Sequence, residues 1–154
     1  MSLTESDQFQ KRATEIGSAF REECQKLLEN LGFEFIGKYE PLEKHGVQIE
    51  LVYNNKEDIS LFFEAAGTPE EEPASPRPGL ERTDTVKKII GTAYLVHKYT
   101  GTPIIVLTSH LPNPNSASEK MLQSALGDVI YDVICVYDDN DIERLRSYLT
   151  KRDF

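Results

Sequence analysis

Ile59-Ser60-Leu61-Phe62-Phe63-Glu64-Ala65-Ala66-Gly67 is a nearly continuous apolar run that delivers one carboxylate to its end. A run of this length, bounded by turn-forming residues, reads as a strand buried on both faces. The run before it, Val47-Gln48-Ile49-Glu50-Leu51-Val52-Tyr53, alternates apolar and polar positions as a half-exposed strand does, and it carries Glu50. Asn54-Asn55-Lys56 is the turn expected between the two. Two acids on adjacent strands can grip a divalent cation. Mg²⁺ is held by one or two carboxylates together with substrate phosphate oxygens, so phosphodiester chemistry is the first reaction the pattern implies. Against it stands the plain reading of two solvated glutamates at strand ends.

Working outward, apolar side chains at Phe9, Ala13, Ile16, Phe20, Cys24, Leu27, Leu28 and Leu31 predict an amphipathic helix from about Glu5 to Leu31, ended by Gly32. Phe33 to Tyr39 alternates as a further half-exposed strand. Downstream, residues 67–82 are rich in proline and charge and predict a long surface loop, the kind that is either functional or disordered. Thr83, Asp84 and Thr85 offer capping oxygens to a helix reaching about Tyr99, with Val86, Ile89, Ile90, Ala93 and Val96 as its buried stripe and Gly101 as its stop. Then come a buried strand at Pro103–Thr108, a helix at Ser116–Leu126, a buried strand at Val129–Tyr137 and a helix at Asp139–Leu149 capped by acids at its start. Three meandering strands followed by strands alternating with helices predict an α/β fold with a mixed central sheet. A doubly wound fold would begin β-α-β instead.

At 154 residues the chain is the size of one domain, 1–154, able to bury a core without disulfide or metal staples. The hydrophobic fraction of 39% and mean hydropathy of -0.44 belong to an ordinary soluble protein. No run reaches the roughly 18 apolar residues of a membrane helix, and Met1-Ser2-Leu3-Thr4-Glu5 lacks a signal-peptide pattern, so a cytoplasmic location is the expectation. Cys24 and Cys135 read as buried small hydrophobes in a reducing compartment. His45, His97 and His110 show no zinc-site spacing.

The net charge of -9 weighs against a nucleic-acid partner, because such proteins usually carry a basic footprint. Its distribution softens the objection: between Arg77 and Lys98, the basic residues Arg77, Arg82, Lys87, Lys88 and Lys98 face only Glu81 and Asp84. The acids gather in Glu70-Glu71-Glu72 and the C-terminal third, leaving room for one basic face and an acidic back.

An acid on one strand, and Glu64-Ala65-Ala66 before Gly67 on the next, resemble the metal site of the PD-(D/E)xK, or restriction-endonuclease-like, nuclease superfamily. The resemblance covers roughly Gly17 to Tyr137. It implies an α-β-β-β-α-β core with an extra C-terminal strand and helix, and a metal-dependent DNA nuclease in which Mg²⁺ or Mn²⁺ sits on Glu50, Glu64 and the Ala65 carbonyl. The family's lysine two residues after the second acid is missing, since Ala66 stands there, so the chain is expected to be disabled. Such an alanine is found in naturally degenerate members or placed to silence cutting; the intact remainder of the motif favours the second origin. Many members carry a glutamate on the first helix facing the metal, and Glu23, beside the Phe20-Cys24-Leu27 stripe, is chosen over Glu22. Lys87 is the expected stand-in cation, since some members place the basic residue on the second helix. Arg77, Arg82, Lys87 and Lys88 are the expected contacts to DNA backbone, and a homodimer would suit cleavage of both strands. The alternative is a non-catalytic DNA- or protein-binding domain on a degenerate nuclease scaffold. Ser109-His110 at a strand end is set aside as a hydrolase pair, because neighbours leaving a strand point to opposite sides and no glycine elbow surrounds Ser109.

Overall fold

The computed structural model of the chain describes residues 4–70 and 77–154. Most of the proline- and acid-rich part of the expected loop, residues 71–76 with Glu71 and Glu72, lies outside the described residues, as do the side chains of Phe9 and Ala13. The elements run α1 (Glu5–Leu31), β1 (Glu34–Gly37), a 3₁₀ turn (Glu40–His45), β2 (Leu51–Asn54), β3 (Ser60–Ala66), α2 (Thr83–Thr100), β4 (Ile104–Thr108), α3 (Ala117–Ala125), β5 (Ile130–Cys135) and α4 (Asp139–Ser147). The five strands form one sheet in the order β1-β2-β3-β4-β5. β1, β2 and β3 are an antiparallel meander, and β3, β4 and β5 are parallel, joined by the crossover helices α2 and α3. The chain is thus an α/β protein with a mixed sheet flanked by helices.

Strand side chains alternate between two cores. On one side Leu51, Tyr53, Leu61, Phe63, Ile105 and Leu107 pack with Phe20, Cys24 and Leu28 of α1 and Leu145 of α4. On the other, Val52, Phe62, Ile104 and Val106 pack with Val86, Ile89, Ala93 and Val96 of α2 and with Leu122 of α3. The period-2 alternation of β3 therefore feeds both layers, as its unbroken apolar character requires.

Several boundaries differ from expectation for physical reasons. β2 begins at Leu51, so Glu50 precedes the strand; residues 47–50 leave the ladder while Val47 and Ile49 stay buried under the 3₁₀ turn, and the Tyr39 N–H donates to the Ile49 carbonyl at 3.0 Å. β1 is cut to four residues by a register shift between Phe35 and Gly37. The β2–β3 turn is longer than Asn54-Asn55-Lys56. Asn55, buried within it, accepts from the Glu57 and Ile59 N–H groups and donates to the carbonyls of Tyr148 (3.0 Å) and Lys151 (2.7 Å). α2 starts at Thr83 without a side-chain cap, because the N-cap position falls on Arg82, which has no side-chain oxygen; the Thr83 hydroxyl accepts from Ser118 of α3 at 3.3 Å. Cys24 is buried, and that burial, aided by Glu23, pushes its thiol up to about 12; Cys135 is only partly buried.

Gly67, just past β3, permits a close approach: a Cβ there would lie 2.5 Å from the Ser109 hydroxyl oxygen and 2.8 Å from the Ser109 backbone nitrogen. Gly67→Ala is expected to destabilise the chain by about 1–3 kcal/mol in urea unfolding. Tyr53 is fully buried, and its hydroxyl has no hydrogen-bond partner among the described residues. Tyr53→Phe is expected to raise stability by about 1 kcal/mol, read as a higher urea midpoint.

Candidate functional site

The site begins with a register. β2 pairs β3 through Leu51↔Phe63 and Val52↔Phe62; the ladder ends there, with Glu50 the residue before Leu51 and Glu64 the residue after Phe63. Phe62, two residues before Glu64 in β3, faces the α2 layer, so Glu64 projects to that face of the sheet. Ala66, two residues on from Glu64, falls on the same face. Glu50 and Glu64 line one cavity of about 480 Å³, together with Ala65. Glu43, Gly46, Val47 and Gln48 form one wall of it, and Lys88, Thr92 and Leu95, one face of α2 at helical spacing, form another.

From α1, on the far side of the sheet, Arg21 reaches into the same cavity and its guanidinium donates to a Glu50 carboxylate oxygen at 2.9 Å. Both side chains remain partly open to solvent, 43% for Arg21 and 47% for Glu50. Glu64 is different. It is half-buried, and no hydrogen bond or ion pair reaches its carboxylate among the described residues. Desolvation pushes its pKa up to about 7; the positive charges of Lys88 and then Arg21 pull it down, and Glu50 adds to the rise.

The donor set fits a hard divalent cation in chemistry. Two carboxylates line one cavity, and the more buried one lacks, among the described residues, a partner that an ion would supply. Among the described residues no group of three or more His, Cys, Asp or Glu side chains gathers to hold a metal, so an ion here would draw on Glu50, Glu64, backbone oxygen such as that of Ala65, and water or substrate oxygens.

Not all expected site residues come together. Glu23 lies on the other flank of α1, exposed and outside the cavity, where its carboxylate accepts from the Tyr137 hydroxyl at 2.6 Å. Lys87 lines a separate groove between α2 and α3 with Ile90, Tyr94 and Met121; the helical stripe it belongs to faces α3, and Lys88, one residue on, turns towards the carboxylates. Arg77 and Arg82 are exposed and outside the cavity, and Arg82 forks onto Asp84 with two contacts of 3.2 Å. Ser109 and His110 do touch, contrary to expectation, with 2.7 Å between the hydroxyl and Nδ1, because the chain bends after β4 ends at Thr108. Ser109 is buried and accepts from the Thr68 N–H at 2.9 Å, so the pair fastens the end of β3 to the end of β4.

Arg21 went unrecognised in the sequence. At about 100° per residue it flanks the Phe20-Cys24 stripe on the side that Leu28 widens, opposite the Glu23 flank, and Leu28 was the available signal.

Because burial raises the folded pKa of Glu64 from 4.5 to about 7, the folded chain holds more protons than the unfolded chain between those pH values, and this residue's contribution to stability falls as pH rises through that window. Glu64→Gln is accordingly expected to be near neutral at pH 4 and stabilising at pH 8, by about 1–3 kcal/mol in urea titrations at the two pH values.

Among the described residues no helix is long and apolar enough to cross a membrane. Comparison with known proteins finds no match: no family model, no curated protein and no solved structure corresponds to the chain.

Proposed function

We propose that the cavity is the metal site of a PD-(D/E)xK-type DNA nuclease on a restriction-endonuclease-like fold, disabled in this chain by Ala66. The observation that carries the reading is that Glu50 and Glu64 line one cavity that two basic side chains, Arg21 and Lys88, also line. The order α1-β1-β2-β3-α2-β4, with a mixed sheet, supports the fold reading.

Glu50 and Glu64 would hold Mg²⁺ or Mn²⁺ with the Ala65 carbonyl, and the bound ion would polarise a phosphoryl oxygen and acidify an attacking water. Seating it requires Glu64 to be deprotonated, so affinity for the ion rises with pH around 7. Glu64 would hold such an ion as the half-buried ligand and Glu50 as the more exposed one. Position 66 lies two residues beyond Glu64 on the same face, where a lysine side chain would extend towards the reacting water; a methyl group can neither orient that water nor offset charge on the phosphate. Lys88 supplies positive charge to the cavity from α2. Arg77, Arg82 and Lys87, which lie outside it, would contact DNA backbone further along a duplex. A homodimer would bring two such sites to the two strands.

Restoring the basic residue tests the reading. Ala66→Lys, incubated with plasmid or branched DNA and Mg²⁺ or Mn²⁺, is expected to cut at least about 10²-fold faster than the unaltered chain, and adding Glu64→Gln should abolish the gain. Should the unaltered chain itself cut slowly, Lys88→Ala is expected to remove that residual activity. If the restored protein neither binds Mn²⁺ nor cuts any DNA, the hydrolytic reading falls and a non-catalytic DNA- or protein-binding domain on the same scaffold takes its place.

A further inference from the structure

The two carboxylates of the cavity are neutralised differently, and the difference assigns a role to α1. Glu50 has a counter-ion within hydrogen-bond distance, Arg21 at 2.9 Å, whereas Glu64 has none within reach among the described residues. Arg21 is also the one residue of α1 found lining the cavity among the described residues. Resting on the metal-site reading above, we propose that Arg21 is an exchangeable counter-ion: it occupies Glu50 until a divalent cation displaces it, and it then turns to the phosphate of the substrate.

Three physical features support this exchange. The ion pair is open to solvent at both partners, and such pairs are weak enough to be broken by a competing charge. A dication held by Glu50 and Glu64 would need a Glu50 oxygen and would repel a guanidinium beside it, so the two cations would compete for one carboxylate. Once released, the guanidinium is still tethered at the cavity, and its planar set of N–H donors matches two phosphate oxygens at once, which an ammonium cannot do. Lys88, on the opposite wall, forms no ion pair among the described residues and so has nothing to exchange. The competing possibility is a static surface pair that merely ties α1 to the segment before β2.

Calorimetric titration of the full chain with Mn²⁺ separates the two. Arg21→Gln is expected to bind Mn²⁺ about three- to tenfold more tightly than the unaltered chain, because the competitor is gone. In a Glu50→Gln background the same substitution should change Mn²⁺ affinity by less than about twofold, since a mutational cycle isolates the pair from the general loss of a positive charge. Arg21→Lys keeps the charge and should fall between, and it guards against an unfolded Arg21→Gln protein. With Ca²⁺ present as an ion that binds without supporting cutting, Arg21→Gln is expected to weaken binding of a fluorescent DNA duplex about fivefold, with no such loss when Ca²⁺ is absent.

Mn²⁺ binding that needs Glu64 but is unchanged or weakened by Arg21→Gln overturns the exchange and leaves the metal site standing. An equal loss of duplex binding with and without Ca²⁺ overturns the transfer to phosphate. Absence of Mn²⁺ binding in both the unaltered and Ala66→Lys proteins overturns the metal site and the exchange together.

Discussion

The antiparallel pairing of β2 with β3 is the constraint on which the site depends. Strand side chains alternate with a period of two, so a slip of one residue in this pairing would turn Val52 to the α1 face and shift Glu50, the residue before β2, relative to Glu64. Aromatic packing on the far side of the sheet opposes such a slip: Phe63 meets Phe33 and Tyr53 edge-on, each with ring centroids 5.9 Å apart. Of these three aromatic residues, Phe63 also lines the cavity, beside Glu64. Placement of two charged groups is thus enforced by apolar contacts on the opposite face, where a wrong register would expose aromatic surface and bury polar atoms.

The charge of the chain looks less hostile to a phosphate-bearing partner once its acids are located. Asp132 and Asp141, two members of the acidic C-terminal third, are engaged internally: Arg144 donates to them at 2.7 and 2.9 Å, and the Tyr148 hydroxyl donates to Asp132 at 2.5 Å. These contacts hold Arg144 well above its ordinary pKa and bind α4 to β5. Asp138, Asp139 and Glu143 stay exposed at the start of α4, away from the walls of the carboxylate cavity, which take their basic groups from α1 and α2. The net charge of -9 is therefore a poor guide to the field at the cavity itself.

Element order was legible because each element states its own period. The stripe from Ile16 to Leu31, the β3 run and the Val86-to-Val96 stripe each match an element in the structure. What local pattern could not convey was the contest between neighbours: Val47 and Ile49 alternate like strand residues, yet they pack in one core with Leu42 of the preceding 3₁₀ turn and lie outside the ladder, so β2 is shorter than expected. That Glu50 and Glu64 lie near each other was legible because they flank an antiparallel pair, one just before β2 and the other within β3. The basic groups were not. Choosing between Lys87 and Lys88 turns on a rotation of about 100° of α2, and that rotation is set by packing of Ile89, Ala93 and Val96 on the sheet, with α3 taking the Lys87 flank. Arg21 could only be found across a distance of 29 residues, through contact with a segment whose path no local period reveals.

Asn55 ties the loop between the two carboxylate-bearing segments to backbone oxygens at Tyr148 and Lys151, 93 and 96 residues further along the chain. Local hydrogen bonds can shape that loop early, but its amide nitrogen stays unmatched until the segment from Tyr148 to Lys151 has docked. During synthesis on a ribosome, the hairpin between the two acids would therefore remain incompletely anchored until that distant segment had emerged, which couples maturation of the cavity to synthesis of residues far downstream.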